Sequence, residues 1–182
     1  MIIGITGKIA SGKSYIEKLV SRSIVGSSVI DLDILSKTFY YKKPNKLLPL
    51  INKNVSYLYM DDGVTIDFKK ISDIIFSDSV KLKKIEKIIH AEIYKYLSKL
   101  NSSNLYIVSS FNLKPFEDLI PISVEIRSNL FIRIIRILKR KQPLNKIKRM
   151  WIQRKIKYNC KLCIGTNIKD LRRLVDILRL LN

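Results

Sequence analysis

Carboxylates are scarce in this chain: 15 Asp and Glu face 35 Lys and Arg across 182 residues, a formal net charge of +20. An imbalance of that size speaks to partners rather than to fold. It points to a polyanion (nucleotide phosphates, a coenzyme, nucleic acid or an acidic membrane surface), or else to the Lys-, Ile- and Asn-rich drift of an AT-rich genome. The basic residues are unevenly spread. Thirteen lie between Arg127 and Lys161 with no Asp or Glu among them. Drift supplies lysine more readily than the arginines of that block, so an anion is expected to dock there.

Histidine and cysteine are nearly absent. His90 is the only histidine, and Cys160 and Cys163 are the only cysteines. A structural zinc needs about four ligands, so this lone C-x-x-C falls short of a zinc site. Its late, strand-like position also argues against thioredoxin-type chemistry, which needs the pair at a helix start. Both read as structural thiols in a reducing cytosol, and a cytoplasmic protein is expected. No apolar run reaches about 18 residues, so no spanning helix is expected. The opening Met1-Ile2-Ile3-Gly4-Ile5 has no basic leader before its apolar residues, and it reads as a first strand rather than a signal peptide.

Apolar side chains are plentiful: 47% of the chain is hydrophobic, enough for one compact domain with a sizeable core. Strand candidates are Ile2 to Thr6, Ser28 to Ile30, Leu105 to Val108, Ile122 to Ile126 and the short segment Cys160 to Ile164. Helical spacing runs from Ser14 to Ser21, with Ile16, Leu19 and Val20 on one face. The stretch from Lys42 to Asp62 reads as irregular, because Pro44 and Pro49 limit helix and Asp62-Gly63 marks a turn. Asp67 is placed to cap a helix to about Phe76. A longer helix from near Val80 to Leu100 carries a stripe of Ile85, Ile88, Ile89, Ile93, Tyr96, Leu97 and Leu100. Ser128 is expected to cap a basic helix to Lys141, and Pro143 separates that from another, about Lys146 to Lys157. Asn167 is expected to cap a last helix through Leu181. Strands alternating with helices imply α/β architecture: an open parallel sheet of about five strands with helices on both faces. No internal repeat or low-complexity linker interrupts it.

Gly7-Lys8-Ile9-Ala10-Ser11-Gly12-Lys13-Ser14 fits G-x-x-x-x-G-K-[ST] without a gap. It follows an apolar strand and opens a helix, which is the context the chemistry requires. Gly7 and Gly12 allow a backbone path and an approach that side chains would block. The amides of Lys8, Ile9, Ala10 and Ser11 can then ring a phosphate at the positive end of the helix. Lys13 reaches the β- and γ-phosphates of ATP, Ser14 is a ligand for Mg2+, and Tyr15 completes the cofactor-binding stretch. Asp31-Leu32-Asp33 ends the second strand, where ligands of open parallel sheets sit. Asp33 there can take a proton from an acceptor hydroxyl and help hold Mg2+ through water, or simply cap a helix at Ile34 and Leu35.

These residues resemble the dephospho-coenzyme A kinases. The opening Met1 to Ser14 is similar to that family's first strand and loop, and Val29-Ile30-Asp31-Leu32-Asp33 resembles its strand ending in an Asp-x-Asp pair. Ile74 to Asp78, Leu82 and Ile85 to His90 are similar to its helical substrate region. Arg136 and Arg140 resemble arginines entering its lid, and Gln153 a glutamine just beyond it. The resemblance implies a P-loop nucleotide-kinase-like fold, with a core of about 1–40, 101–138 and 158–182. A helical acceptor-binding insertion of about 41–100 and a short helical lid of about 139–157 complete it. It implies transfer of the ATP γ-phosphoryl to the ribose 3′-hydroxyl of dephospho-CoA. Lys13, Asp33 and Arg140 would be catalytic, Arg136 and Arg140 would close over the phosphates, and Asp33 and His90 would meet the acceptor.

The sequence departs from the family pattern at several points. Lys8 replaces the second glycine of the loop, Tyr15 a threonine, Phe68 an arginine after Asp67, and Ala91 a proline after His90. The third strand runs into Ser109-Ser110-Phe111-Asn112-Leu113 where the family carries an acidic residue and Pro-Leu-Leu-Phe-Glu. Cys160-Lys161 stands in place of an Ala-Asp pair. These differences keep a second enzyme reading open, a kinase of another nucleotide or nucleoside. The acid-free block keeps open a third, a basic nucleic-acid-binding protein on a nucleotide-binding scaffold. Against the third, Phe131, Trp151 and Tyr158 are not spaced as a stacking platform.

Overall fold

β-branched runs set the sheet. The computed structural model describes residues 1–101, 103–139, 160 and 162–180. Its strands are β1 (Ile2–Thr6), β2 (Ser28–Asp31), β3 (Tyr106–Ser109), β4 (Ile122–Ile126) and β5 (Leu162–Ile164). They form one five-stranded sheet in the order β2-β3-β1-β4-β5, and every pairing is parallel. Parallel strands need both faces covered. The α/β expectation therefore holds, with β1 at the centre.

The two faces of β1 are covered differently. Ile3 and Ile5 are fully buried in a cluster with Ile16 and Val20 of helix α1 (Lys13–Ser23) and Leu174 and Leu178 of helix α7 (Ile168–Leu180). On the other face stands Gly4. A Cβ there would come within 2.5 Å of Leu113 Cδ1 and 2.8 Å of Ile120 Cγ2. The segment after β3, with a 3-10 turn at Lys114–Phe116, therefore lies directly on the central strand.

The chain divides into two units, Met1–Asp31 with Asn101–Asn182, and Leu32–Leu100. The first holds the sheet, α1, helix α6 (Leu130–Lys139) and α7. The second is helical: α2 (Leu32–Lys42), α3 (Pro44–Ile51), α4 (Phe68–Ser77) and α5 (Ser79–Leu97). α5 buries Ile85, Ile89, Ile93 and Leu97, one residue per turn, against α2, α3 and α4. Tyr96, expected on that stripe, is exposed, because it falls about 100° of helix rotation away from Leu97. Tyr40 is buried here, which pushes its hydroxyl pKa up to about 12. Lys43 at the α3 cap meets Glu92 of α5 at 2.6 Å.

Side-chain caps mark the starts of α4 and α5. Asp67 accepts from the Lys69 and Lys70 amides, and Asp78 from those of Val80 and Lys81. The expected Asp67 and Asn167 caps are both present, the latter as Asp170 N–H donating to Asn167 Oδ1 at 2.8 Å. Two expectations need correction. The stretch after Lys42 is not wholly irregular, since α3 spans Pro44–Ile51 with both prolines in it. Pro44 sits in the first turn, where the missing N–H has no helical partner to lose. Pro49 costs only one bond of this short helix, whose Leu47, Leu48 and Ile51 are buried. The cap of α6 is Asn129, whose Oδ1 accepts from Phe131 N–H at 2.9 Å. Ser128 instead accepts from Arg136 at 3.3 Å.

Candidate active site

The loop from Gly7 to Gly12 joins β1 to α1 at the carboxyl end of the sheet, and Lys13 and Ser14 open the helix. Gly7 has φ +154°, and a Cβ there would lie 2.6 Å from Ile126 O and 2.7 Å from Ser11 Oγ. Only glycine fits that path. Ala10 takes the left-handed conformation with φ 59°, so the loop turns tightly even where a side chain is present. Gly12 caps α1 with φ 111° and offers no side chain to the first helical amides, and the first turn holds no acidic residue. Most helix starts carry a Ser, Thr or Asp for those amides. This one offers no side-chain cap, and the positive end of the helix suits an anion.

Two further observations fit a bound phosphate. Ser11 is buried, and its Oγ has no hydrogen-bond partner among the described residues. Lys13 Nζ donates to Gly7 O at 2.7 Å, holding the ammonium across the loop it would neutralise. Ser14 is exposed at the first turn, where a hydroxyl can meet a hard cation. Among the described residues no group of three or more His, Cys, Asp and Glu gathers. An Mg2+ here would therefore lean on Ser14, the phosphates and water rather than on a protein cage.

The basic helix α6 braces this loop from its carbonyl side. Arg133 is 4% exposed, and its Nε donates to Ile9 O at 2.7 Å. Arg136 Nη1 donates to Ala10 O at 3.1 Å and to Ser11 O at 3.0 Å, with Thr166 Oγ1 at 3.5 Å from Nη2. The two guanidinium groups hold the carbonyls of Ile9, Ala10 and Ser11, and the Ser11 amide closes the turn by donating to Lys8 O at 3.0 Å. Arg136, expected to close over the phosphates, thus grips the loop itself in this structure. Arg133 was not a sequence candidate; its spacing of three from Arg136 on one amphipathic helix was the available signal.

Carboxylates line the strand ends beside the loop. Ser109, at the end of β3, is 2% exposed and donates from Oγ to Glu17 Oε1 of α1 at 2.5 Å. Asp31 on β2 and Ile5 on β1 are its register partners. On β4, Glu125 pairs in register with Thr6 and holds Arg127 Nε at 2.8 Å. Cys163 Sγ donates to Glu125 Oε2 at 3.6 Å, and both cysteines are free thiols. Burial pushes each thiol pKa up, which fits unreactive side chains.

Two further sequence candidates stand on α2 and α5. Asp33 is in the first turn of α2, one residue inside the helix rather than at its cap, and Ser36 Oγ donates to its carbonyl at 2.9 Å. His90 is half-buried on α5, which packs against α2. Both belong to the helical unit, whereas the loop and Arg136 belong to the sheet unit. Arg140, Gln153 and the expected lid beyond residue 139 fall outside the described residues, as does the second basic helix.

A family model of dephospho-CoA kinases matches residues 1–157. The chain belongs to the dephospho-CoA kinase family. The Aquifex aeolicus dephospho-CoA kinase is 35% identical over 101 residues, which is 56% of this chain and 50% of that protein. The Thermus thermophilus dephospho-CoA kinase is 36% identical over 97 residues, 53% of this chain and 44% of that protein. The matches thus span about half the length of these curated relatives. Among solved structures, a Thermus thermophilus protein superimposes with a TM-score of 0.75 at 24% identity, covering 98% of this chain and 95% of that one. The Campylobacter jejuni dephospho-CoA kinase gives 0.55 at 22% identity over 97% and 94% of the two chains. An Acinetobacter baumannii shikimate kinase gives 0.53 at 16% identity over 99% and 92%. These likenesses fix the P-loop kinase fold. No helix among the described residues is long and apolar enough to cross a membrane.

Proposed function

We propose that this family member transfers the γ-phosphoryl group of ATP to the ribose 3′-hydroxyl of dephospho-CoA, giving coenzyme A and ADP in the cytoplasm. The observation that supports it most is the uncapped, glycine-bounded start of α1 with Lys13 folded across it, in a chain of this family. The acceptor hydroxyl oxygen forms a bond to the γ-phosphorus, and the bond from that phosphorus to the bridging oxygen of ADP breaks. Lys13 and the loop amides from Lys8 to Ser14 hold the charge that develops on the phosphate oxygens. Asp33 accepts the hydroxyl proton, and His90 orients the acceptor. Arg136 fixes the loop that holds the donor, and Arg140 closes the site from the lid. Mg2+, when bound at Ser14, would supply charge neutralisation on the phosphates.

Incubation with ATP, Mg2+ and a panel of dephospho-CoA, adenosine, AMP, CMP and shikimate tests this reading by mass spectrometry of the products. It predicts a 3′-phosphorylated product from dephospho-CoA ahead of every other acceptor. Preference for a nucleoside monophosphate would overturn it in favour of another nucleotide kinase, the reading that Ser109 and Ser110 at an expected carboxylate position keep alive. Arg133 and Arg136 of the basic block hold the phosphate loop, which gives these two arginines a role within the kinase reading.

A further inference from the structure

The third strand ends in Ser109-Ser110, not in a carboxylate. The sheet geometry shows what stands there instead. In a parallel sheet, register partners send their side chains to the same face. Ile5, Ser109 and Asp31 are register partners across β1, β3 and β2, and Ile5 packs in the α1 cluster. Ser109 therefore faces α1, and there its buried hydroxyl donates to Glu17 Oε1 at 2.5 Å. Glu17 lies three residues after Ser14 on the same helix, the spacing that sets two side chains on one face about 5–6 Å apart between Cβ atoms. Asp31 faces the same side from β2.

From this we propose that Glu17 supplies, from helix α1, the carboxylate missing from the end of β3, and orients the water shell of the Mg2+ held by Ser14 and the nucleotide. Ser109 acts as the positioning residue. A serine in the strand leaves room for a carboxylate reaching in from the helix, and its O–H fixes that carboxylate, whose two oxygens together offer about four acceptor sites, enough to take a bond from metal-bound water as well. A hard cation that keeps several waters is well served by such an outer carboxylate. The inference rests on the kinase reading above, because the metal arrives with the nucleotide.

The test is Mn2+ affinity, followed by electron paramagnetic resonance, in the full chain saturated with a non-hydrolysable ATP analogue. Analogue affinity without metal is measured alongside by calorimetry. Glu17→Gln should weaken Mn2+ binding about tenfold or more, the usual scale for an outer-shell partner, and leave metal-free analogue affinity unchanged. Ser109→Ala should weaken it about threefold, as for one lost hydrogen bond. Ser109→Asp in the Glu17→Gln background should recover most of the loss by returning the charge to the strand. Unchanged Mn2+ affinity in Glu17→Gln overturns the inference and leaves the kinase reading standing. Equal loss of metal-free and metal-bound affinity also overturns it, since that marks a role in holding α1. A wild-type chain that binds no analogue removes both readings together. Should Glu17→Gln melt below the assay temperature, Ser109→Ala alone decides.

Discussion

At the scale of single residues, the loop concentrates backbone demands. Gly7→Ala places a methyl 2.6 Å from Ile126 O on a backbone with φ +154°. Its expected cost is about 1–3 kcal/mol, readable as a lower denaturation midpoint, with nucleotide affinity lost as the loop shifts. Ala10 is the contrasting case. A left-handed L-residue costs about 1–2 kcal/mol, and glycine gives back about 0.5–1 kcal/mol through its freer unfolded chain. Ala10→Gly should therefore leave stability unchanged or raise it by up to about 1.5 kcal/mol; a clear fall in the midpoint would contradict the strained geometry. Lys13→Ala removes a side chain that donates to Gly7 O. Turnover should drop about 10²–10³-fold or further, the scale for losing a charge-stabilising donor, with little change in melting temperature. The loop was legible residue by residue, because glycine positions, lysine and serine are fixed by phosphate chemistry rather than by tertiary context. Arg133 and Glu17 were not, since their partners Ile9 and Ser109 lie 124 and 92 residues away in sequence.

At the scale of elements, α6 and the phosphate loop behave as one part. Charged donors on backbone carbonyls contribute about 1.5–3 kcal/mol each. Arg136→Ala should accordingly loosen the loop, seen as faster amide exchange across residues 8–12 and weaker nucleotide binding, with the sheet amides unchanged. Uniform exchange in both regions would mean α6 does not brace the loop. The helical unit has its own signature in acid. The Lys70 amide, with that of Lys69, holds the Asp67 carboxyl below the usual carboxylate range, and the Lys81 and Val80 amides do the same for Asp78. Groups titrating lower folded than unfolded stabilise fully above the unfolded range near pH 4. That stabilisation is lost as pH falls through their folded values. The paired variant Asp67→Asn, Asp78→Asn keeps caps without the titration, so its melting temperature should fall less steeply between about pH 4 and pH 2 than wild type. The Asp67 cap was readable because its signal is local. The helix through Pro44 and Pro49 was not, since burial of Leu47, Leu48 and Ile51 overrides a poor local propensity.

At the scale of the whole molecule, a basic chain carries a parallel sheet whose central strand delivers one phosphate-shaped loop. Alternating apolar strands and helices made the α/β class legible, and β1 and β4 are found at the residues expected. Strand order and the neighbours of Ser109 were not legible, because pairing register arises only when the sheet assembles. The account stands on the claim that this loop holds the polyphosphate of ATP. Calorimetric titration of ATP with Mg2+ into the purified chain tests that claim most directly. Saturable one-site binding, with a dissociation constant of roughly 1 μM to 1 mM and lost in Lys13→Ala, is the predicted result. An absence of binding by the folded wild-type chain, or equal binding by Lys13→Ala, would contradict it.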